Sequence, residues 1–321
     1  MSVTKLLLAK PRGFCAGVDR AIDVVNLALD LYPGPVYVRK EIVHNVHVVN
    51  ELRAKGAIFV DELEEVPDGA TVIFSAHGVA PQVRRQAEAR GLKVIDATCP
   101  LVTKVHHEAV RFAQENRPIV LVGHEGHDEV IGTMGHAPDH IHLIGTVEEA
   151  EALRVSDPDR IAVITQTTLS LDDTSTIIGK LRERFPTLTA PARDDICYAT
   201  QNRQMAVKAI AKRAPVILVI GSRNSSNSNR LAEVARDAGA RAYLIDDISQ
   251  IDPTWLDHVE CLGITAGASA PEYLVDEVVS YFRARGVAEI EEIEAVTEEV
   301  SFALPPELAR ARATREATQP A

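Results

Sequence analysis

At 321 residues, with 46% hydrophobic and 25% charged content, the chain carries enough apolar material for a sizeable core and is not a disordered sequence. A formal net charge of -12 weighs against non-specific binding to nucleic acid or to an anionic membrane. The opening "MSVTKLLLAKPRGF" has only three leucines in a row before Lys10 and Pro11, and no later run approaches the ~18 apolar residues of a membrane span, so a soluble cytoplasmic protein is expected.

In chain order, short runs rich in Val, Ile and Leu alternate with helical patterns. "KLLLA" leads to "DRAIDVVNLALDL" (19–31), "PVYV" and "TVIFS" lead to "PQVRRQAEARG" (81–91), and "KVID" leads to "DATCPLVTKVHHEAV". "PIVLVG", "IHLIG" and "IAVIT" precede "LDDTSTIIGKLRERF" (171–185), and "PVILVIG" precedes "NRLAEVARDAGA" (229–240). "RAYLID" and "CLGIT" precede "YLVDEVVSYFRARG" (273–286). Such runs fit buried parallel strands, and strand then helix, repeated, predicts an α/β protein. Beyond residue 286 acidic and apolar residues alternate, predicting one or two added strands through "VSFAL" and a disordered polar tail from about Pro306.

Three cysteines divide the pattern almost evenly: Cys99 minus Cys15 is 84, and Cys197 minus Cys99 is 98. In "RGFCAGVDR", "DATCPLV" and "DDICYATQNRQ" each opens a helix, and Pro100 suits a first helical position. The spacing predicts three similar α/β units, residues 1–98 with Cys15, 99–195 with Cys99 and 196–284 with Cys197, followed by an extension over 285–321. A disulfide framework does not suit a cytoplasmic chain of this size, and no C-x-x-C pair exists for a zinc ribbon. Two readings of the thiols stay open: small buried hydrophobes, or thiolates stabilised at helix starts that converge on an iron-sulfur cluster. Three ligands would leave one iron of a cubane cluster open to substrate. Cys261, at the entry of a strand, reads as core.

Ligands of an open parallel sheet bind beyond the carboxyl ends of its strands, and here those ends are polar. They lead to His44, His77, His124, His127, Glu129, Thr165 through Ser170, Ser225 through Ser228, and Ser269. Singly, each has a bland reading: His44 with His47, or His106 with His107, as surface histidines, the hydroxyl runs as helix N-caps, Glu129 as a first-turn glutamate. Together they offer imidazole, hydroxyl and amide donors with few lysines, which suits a phosphate or diphosphate. No Walker pattern and no G-x-G-x-x-G after a strand occurs, so neither nucleotide hydrolysis nor a dinucleotide cofactor is supported. Glu129, a carboxylate two residues beyond His127 in an expected loop, is the natural proton donor.

The motifs "PRGFCAGV", "EIVHN", "SAHGV", "DATCPLV", "GHEGHDEVIGT", "TQTTLS", "DDICYATQNRQ", "SRNSSNSNRL" and "AGASAPE" stand in an order that resembles the 4-hydroxy-3-methylbut-2-enyl diphosphate reductase family, from about Lys5 to Leu308. The resemblance implies a trefoil of three α/β units around one [4Fe-4S] cluster held by Cys15, Cys99 and Cys197, with one open iron facing the substrate. It implies that His44, His77, His127, Ser225, Asn227 and Ser269 hold the diphosphate with help from Ser226. Thr167 and Glu129 would bond near the substrate hydroxyl, Glu129 supplying protons, with Thr168 and His124 nearby. The implied reaction is reductive dehydroxylation to isopentenyl and dimethylallyl diphosphate, the last step of the methylerythritol phosphate route. A low-potential ferredoxin or flavodoxin is the implied electron donor, and no nucleic acid or membrane partner is expected. Two positions depart from the family pattern: Asp128 replaces a common proline, and Ile131 stands where an acidic residue is common. The alternatives are a non-catalytic iron-sulfur sensor or diphosphate-binding protein, and a hydrolase with a His-bound metal, which would need no reductant.

Overall fold

The computed structural model describes residues 2–191 and 194–318, with side chains through Arg315. In chain order its first elements are β1 (Lys5–Lys10), α1 (Ala16–Leu31), β2 (Val36–Arg39), α2 (Val46–Ala54), β3 (Ala57–Val60), β4 (Thr71–Phe74), α3 (Pro81–Ala89) and β5 (Lys93–Asp96). Next come α4 (Pro100–Gln114), β6 (Ile119–Val122), α5 (Asp128–His136), β7 (Ile141–Ile144), α6 (Val147–Ala152), β8 (Ala162–Thr165) and α7 (Leu171–Arg184). The remainder is α8 (Tyr198–Ala211), β9 (Val216–Ile220), α9 (Ser226–Asp237), β10 (Arg241–Ile245), β11 (Cys261–Ala266), α10 (Glu272–Arg283), β12 (Glu289–Glu294) and α11 (Pro306–Thr318).

Every strand expected from the apolar runs is present, and β3, "AIFV", is an addition. The strands form three sheets with orders β10-β9-β11-β1-β12, β3-β2-β4-β5 and β7-β6-β8, and every strand pair among the described residues is parallel. This is the expected α/β class. The described residues divide into two compact units, one of residues 2–16, 44–48 and 197–300, the other of 17–43, 49–196 and 301–318.

In the first unit, all five residues of β9 are buried, because an uninterrupted "VILVI" has no polar face to give to water. Strand β1 is equally apolar on both faces. Leu6 and Leu8 pack into a core with Ile264 and Phe282, while Leu7 and Ala9 face Val207 and Ile210 of α8. Burying each such leucine contributes about 2 kcal/mol. This need for cover on both sides explains a departure from sequence order. Assigned to the segment 1–98, β1 instead pairs with β11 and β12, with Leu6 opposite both Leu262 and Ile290.

The second unit holds the other two sheets. Helix α1 buries Val18, Ala21, Val24, Val25 and Ala28, one face at helical spacing. Helix α4 begins with Pro100 and buries Val102, Val105, Ala109 and Phe112.

The carboxyl-terminal expectations need correction. The added strand is β12, "EIEEIE", while "VSFAL" forms no strand. There the Ala303 carbonyl accepts from Arg20 Nε at 2.7 Å, a side-chain bond that replaces a ladder bond. From Pro306 the chain is helical through Thr318, since Pro306 opens α11 and "ELARARA" is rich in helix formers, with Leu308 wholly buried as its anchor. Residues 319–321 of the expected tail lie outside the described residues. No helix among the described residues is long and apolar enough to cross a membrane.

Candidate active site

Each of the three cysteines stands directly before a helix. Cys15 precedes α1, and Cys99 and Cys197 are the N-caps of α4 and α8. Backbone bonds fix their positions: Cys15 N donates to Ala268 O at 3.2 Å and Cys99 N to Ala76 O at 3.0 Å. The Cys197 sulfur accepts from Thr200 N at 3.3 Å and lies 3.1 Å from Thr200 Oγ1. All three are half-buried. Three soft donors at electropositive helix ends fit an iron-sulfur cluster. Cys261 is half-buried too, but it begins β11 and packs against the core around Leu7 and Val207, and burial pushes its thiol pKa up.

In the first unit two sets of bonds hold predicted residues. Asn227 Nδ2 donates to Thr200 Oγ1 at 3.4 Å, and its Oδ1 accepts from Ala268 N at 2.8 Å. Ser269 Oγ donates to His44 O at 2.9 Å and to Ser225 Oγ at 3.4 Å. Ser225 is also the N-cap of α9, accepting from Ser228 N, so its capping reading holds. The crossing is tight. A Cβ on Gly267 would stand 2.0 Å from Ser228 Oγ, so only glycine lets the loop after β11 approach α9 this closely. Ser226 is the first residue of α9.

In the second unit the carboxylate of Glu129 is held at both oxygens. Oε1 accepts from Thr167 N at 2.7 Å and Oε2 from Thr167 Oγ1 at 2.9 Å, and both residues are buried. Glu129 lies in the first turn of α5, not in a loop, and its own N-H donates to Nδ1 of the N-cap His127 at 3.2 Å. His77 meets His127 edge to face, with ring centroids 5.9 Å apart, and its Nδ1 is 3.4 Å from Ser75 Oγ. His124 N donates to Gln166 Oε1 at 3.0 Å, and Gln166 Nε2 to Thr168 Oγ1 at 2.8 Å. Within this unit a buried acid with hydroxyl and amide donors around it can hold and pass a proton.

Comparison with known proteins places the chain in a family. A family model described as LytB protein matches residues 6–283. The chain belongs to the LytB family. Among LytB relatives, the 4-hydroxy-3-methylbut-2-enyl diphosphate reductase of Acidothermus cellulolyticus is 60% identical over 307 residues, covering 95% of this chain and 90% of the relative. The protein of the same name from an Azoarcus species is 56% identical, covering 97% of this chain and all of its own length. A solved structure of the E-1-hydroxy-2-methyl-but-2-enyl-4-diphosphate reductase from Plasmodium falciparum is similar at a TM-score of 0.95 and 37% identity, covering 98% of this chain and 99% of that one.

Several supporting residues of this LytB chain escape a reading by residue type. Gln166 sits inside "TQTTLS" among hydroxyls that draw the eye, yet it is the bridge between His124 and Thr168. Arg203, on α8, is wholly buried and donates to Gly13 O, Phe14 O and Ala199 O and pairs with Glu298. An arginine on a helix ordinarily reads as solvated. The Tyr198 hydroxyl accepts from Ala16 N at 3.3 Å, capping α1 beside Cys15, and burial raises its pKa, with the charge of Cys15 adding to the effect. Asp195 accepts from Lys104 Nζ at 2.9 Å and from Thr165 N at 3.0 Å; burial raises its pKa while Lys104 opposes the rise. His106 is not a surface residue: it is 4% exposed and stacks on His136 at 4.1 Å, and burial pushes its pKa down to about 3. The Asp128 and Ile131 departures fall on α5, at its first position and at a position 54% exposed.

Proposed function

We propose that this chain is an iron-sulfur oxidoreductase of isoprenoid biosynthesis that removes the hydroxyl group of 4-hydroxy-3-methylbut-2-enyl diphosphate, giving isopentenyl and dimethylallyl diphosphate. Two electrons and two protons enter and one water leaves. The observation that carries this reading is the buried Glu129 carboxylate with Thr167 on both of its oxygens, an acid kept from bulk water in the first turn of α5.

Cys15, Cys99 and Cys197 would hold one [4Fe-4S] cluster, three ligands leaving one iron for the substrate. When bound, the cluster supplies the electrons of the reduction, received from a low-potential carrier such as ferredoxin or flavodoxin. Glu129 Oε2 passes a proton to the departing oxygen while Thr167 fixes the carboxylate's orientation, with Thr168 and His124 adding polar contacts. Ser225, Ser226 and Asn227, at the amino end of α9, offer hydroxyl, amide and backbone donors to the diphosphate, and Ser269 joins them. His44, His77 and His127 add imidazole donors to the same group. The reaction takes place in the cytoplasm.

Anaerobic turnover of the substrate by cluster-loaded protein, with and without a low-potential reductant, tests the proposal. Reductant-dependent formation of the two five-carbon isomers supports it. No conversion at full cluster content would point to a sensor or a diphosphate-binding protein, and conversion without reductant to a hydrolase.

A further inference from the structure

We propose that Arg20 is a positioning residue for Cys99 and helps to set the reduction potential of the cluster, by holding the two carbonyls that precede the thiol and placing a fixed positive charge beside it. This role presupposes the cluster ligation proposed above.

Arg20 lies in α1, and its Nη1 donates to Ala97 O and to Thr98 O, both at 3.1 Å. These are the last two carbonyls before Cys99, the N-cap of α4. The third bond, from Nε to Ala303 O at 2.7 Å, ties the same guanidinium to the segment that enters α11. Within the turn Asp96 accepts from Thr98 N at 2.9 Å, and it pairs with Arg84. The four residues Asp-Ala-Thr-Cys are therefore held by two arginines, Arg20 on the carbonyls and Arg84 on the Asp96 carboxylate. A planar fork with five donors can span three carbonyls, which a single ammonium cannot.

The charge is the second part of the role. Among the described residues Arg20 forms no ion pair, so no adjacent carboxylate cancels it within bonding distance. Burial lowers its pKa, and the charge of Cys99 opposes that ahead of Asp96 and Glu307, which places the thiol within electrostatic reach. Arginine keeps its proton at every working pH. A permanent cation near a sulfur ligand favours the more negative, reduced cluster and so raises its potential. Arg20 also lines a cleft of about 610 Å³ with Lys104, His107, Glu108 and Glu307, so solvent screens the charge in part.

The test is a redox titration of the anaerobically reconstituted full-length protein, followed by electron paramagnetic resonance, together with the rate of cluster loss to a chelator. Arg20→Met is expected to shift the midpoint to more negative potential and to lose cluster several-fold faster. Arg20→Lys is expected to keep a potential near wild type while still losing cluster faster. Wild-type potential and loss rate in Arg20→Met would overturn the role. Should Arg20→Met fail to load a cluster, Arg20→Lys decides, and wild-type values of both quantities there overturn it. A wild-type protein that binds no cluster at all would overturn the ligand reading and this role with it.

Discussion

Thr167 gives both of its hydrogen-bond donors to Glu129, the backbone N-H at 2.7 Å and the hydroxyl at 2.9 Å, one to each carboxylate oxygen. The two residues are 38 positions apart, and β6 and β8, neighbours in one sheet, deliver them to the same end. A carboxylate fixed at both oxygens cannot turn away from its task.

Thr167→Val keeps the N-H donor and removes the hydroxyl, costing one charge-assisted bond of about 1.5–3 kcal/mol. The expected result is roughly a tenfold fall in kcat with little change in KM. Glu129→Gln removes the proton itself and should lower kcat by about 10²–10⁴ at unchanged cluster content. Single-turnover kinetics with spectroscopic counting of the cluster checks both. Wild-type turnover in Glu129→Gln would remove the acid role.

Cys197→Ala should lose cluster and activity together, whereas Thr200→Val, which removes only the hydroxyl 3.1 Å from the sulfur, should retain the cluster but release it faster. Iron and sulfide analysis before and after chelator exposure distinguishes the two. Full occupancy in Cys197→Ala contradicts the ligand assignment.

Arg203→Met leaves the Gly13, Phe14 and Ala199 carbonyls short of a donor and Glu298 without its cation. Leaving buried carbonyls without a donor costs about 1–3 kcal/mol each, so the urea midpoint should fall well below wild type. A midpoint within error of wild type would mean that water replaces the guanidinium.

His106 makes stability depend on pH. Its folded pKa of about 3 lies below the ordinary 6.5, so between these values the unfolded chain binds more protons and acid favours unfolding. This one group should remove about 2 kcal/mol of stability between pH 7 and pH 5. Denaturant titrations at the two pH values should show the loss in wild type and a flatter dependence in His106→Asn. An equal slope in the variant would assign the effect to other groups.

Gly78 follows His77 with φ of +78°, and a Cβ there would stand 2.7 Å from the His106 ring. Gly78→Ala combines backbone strain with a clash and should cost about 2 kcal/mol or more. Displacing the neighbouring imidazole, it should also raise KM for the diphosphate substrate. Unchanged KM in a destabilised variant would separate His77 from substrate binding.

The α/β class, the ten quoted strands, the helix starts at the cysteines and the tight polar turns were legible in the sequence, because each rests on local rules. An apolar run seeks burial, Pro100 opens a helix, and Ser225 caps one. The tail misled because its polar composition reads as disorder, while one buried contact at Leu308 and good helix formers suffice to order it.

Only the tertiary structure decided what depends on distant neighbours. Strand β1 could not announce its pairing with β11 and β12, since leucines on both faces demand burial without naming partners. Gln166, Arg203, Asp195 and His106 likewise carry no local signal. Each is a polar side chain whose meaning comes from groups brought close by folding: hydrogen-bond partners for Gln166, Arg203 and Asp195, and the stacked His136 ring for His106. Sequence by itself determined which chemistry the chain carries. Folding determined which of those groups are held, oriented and kept from water.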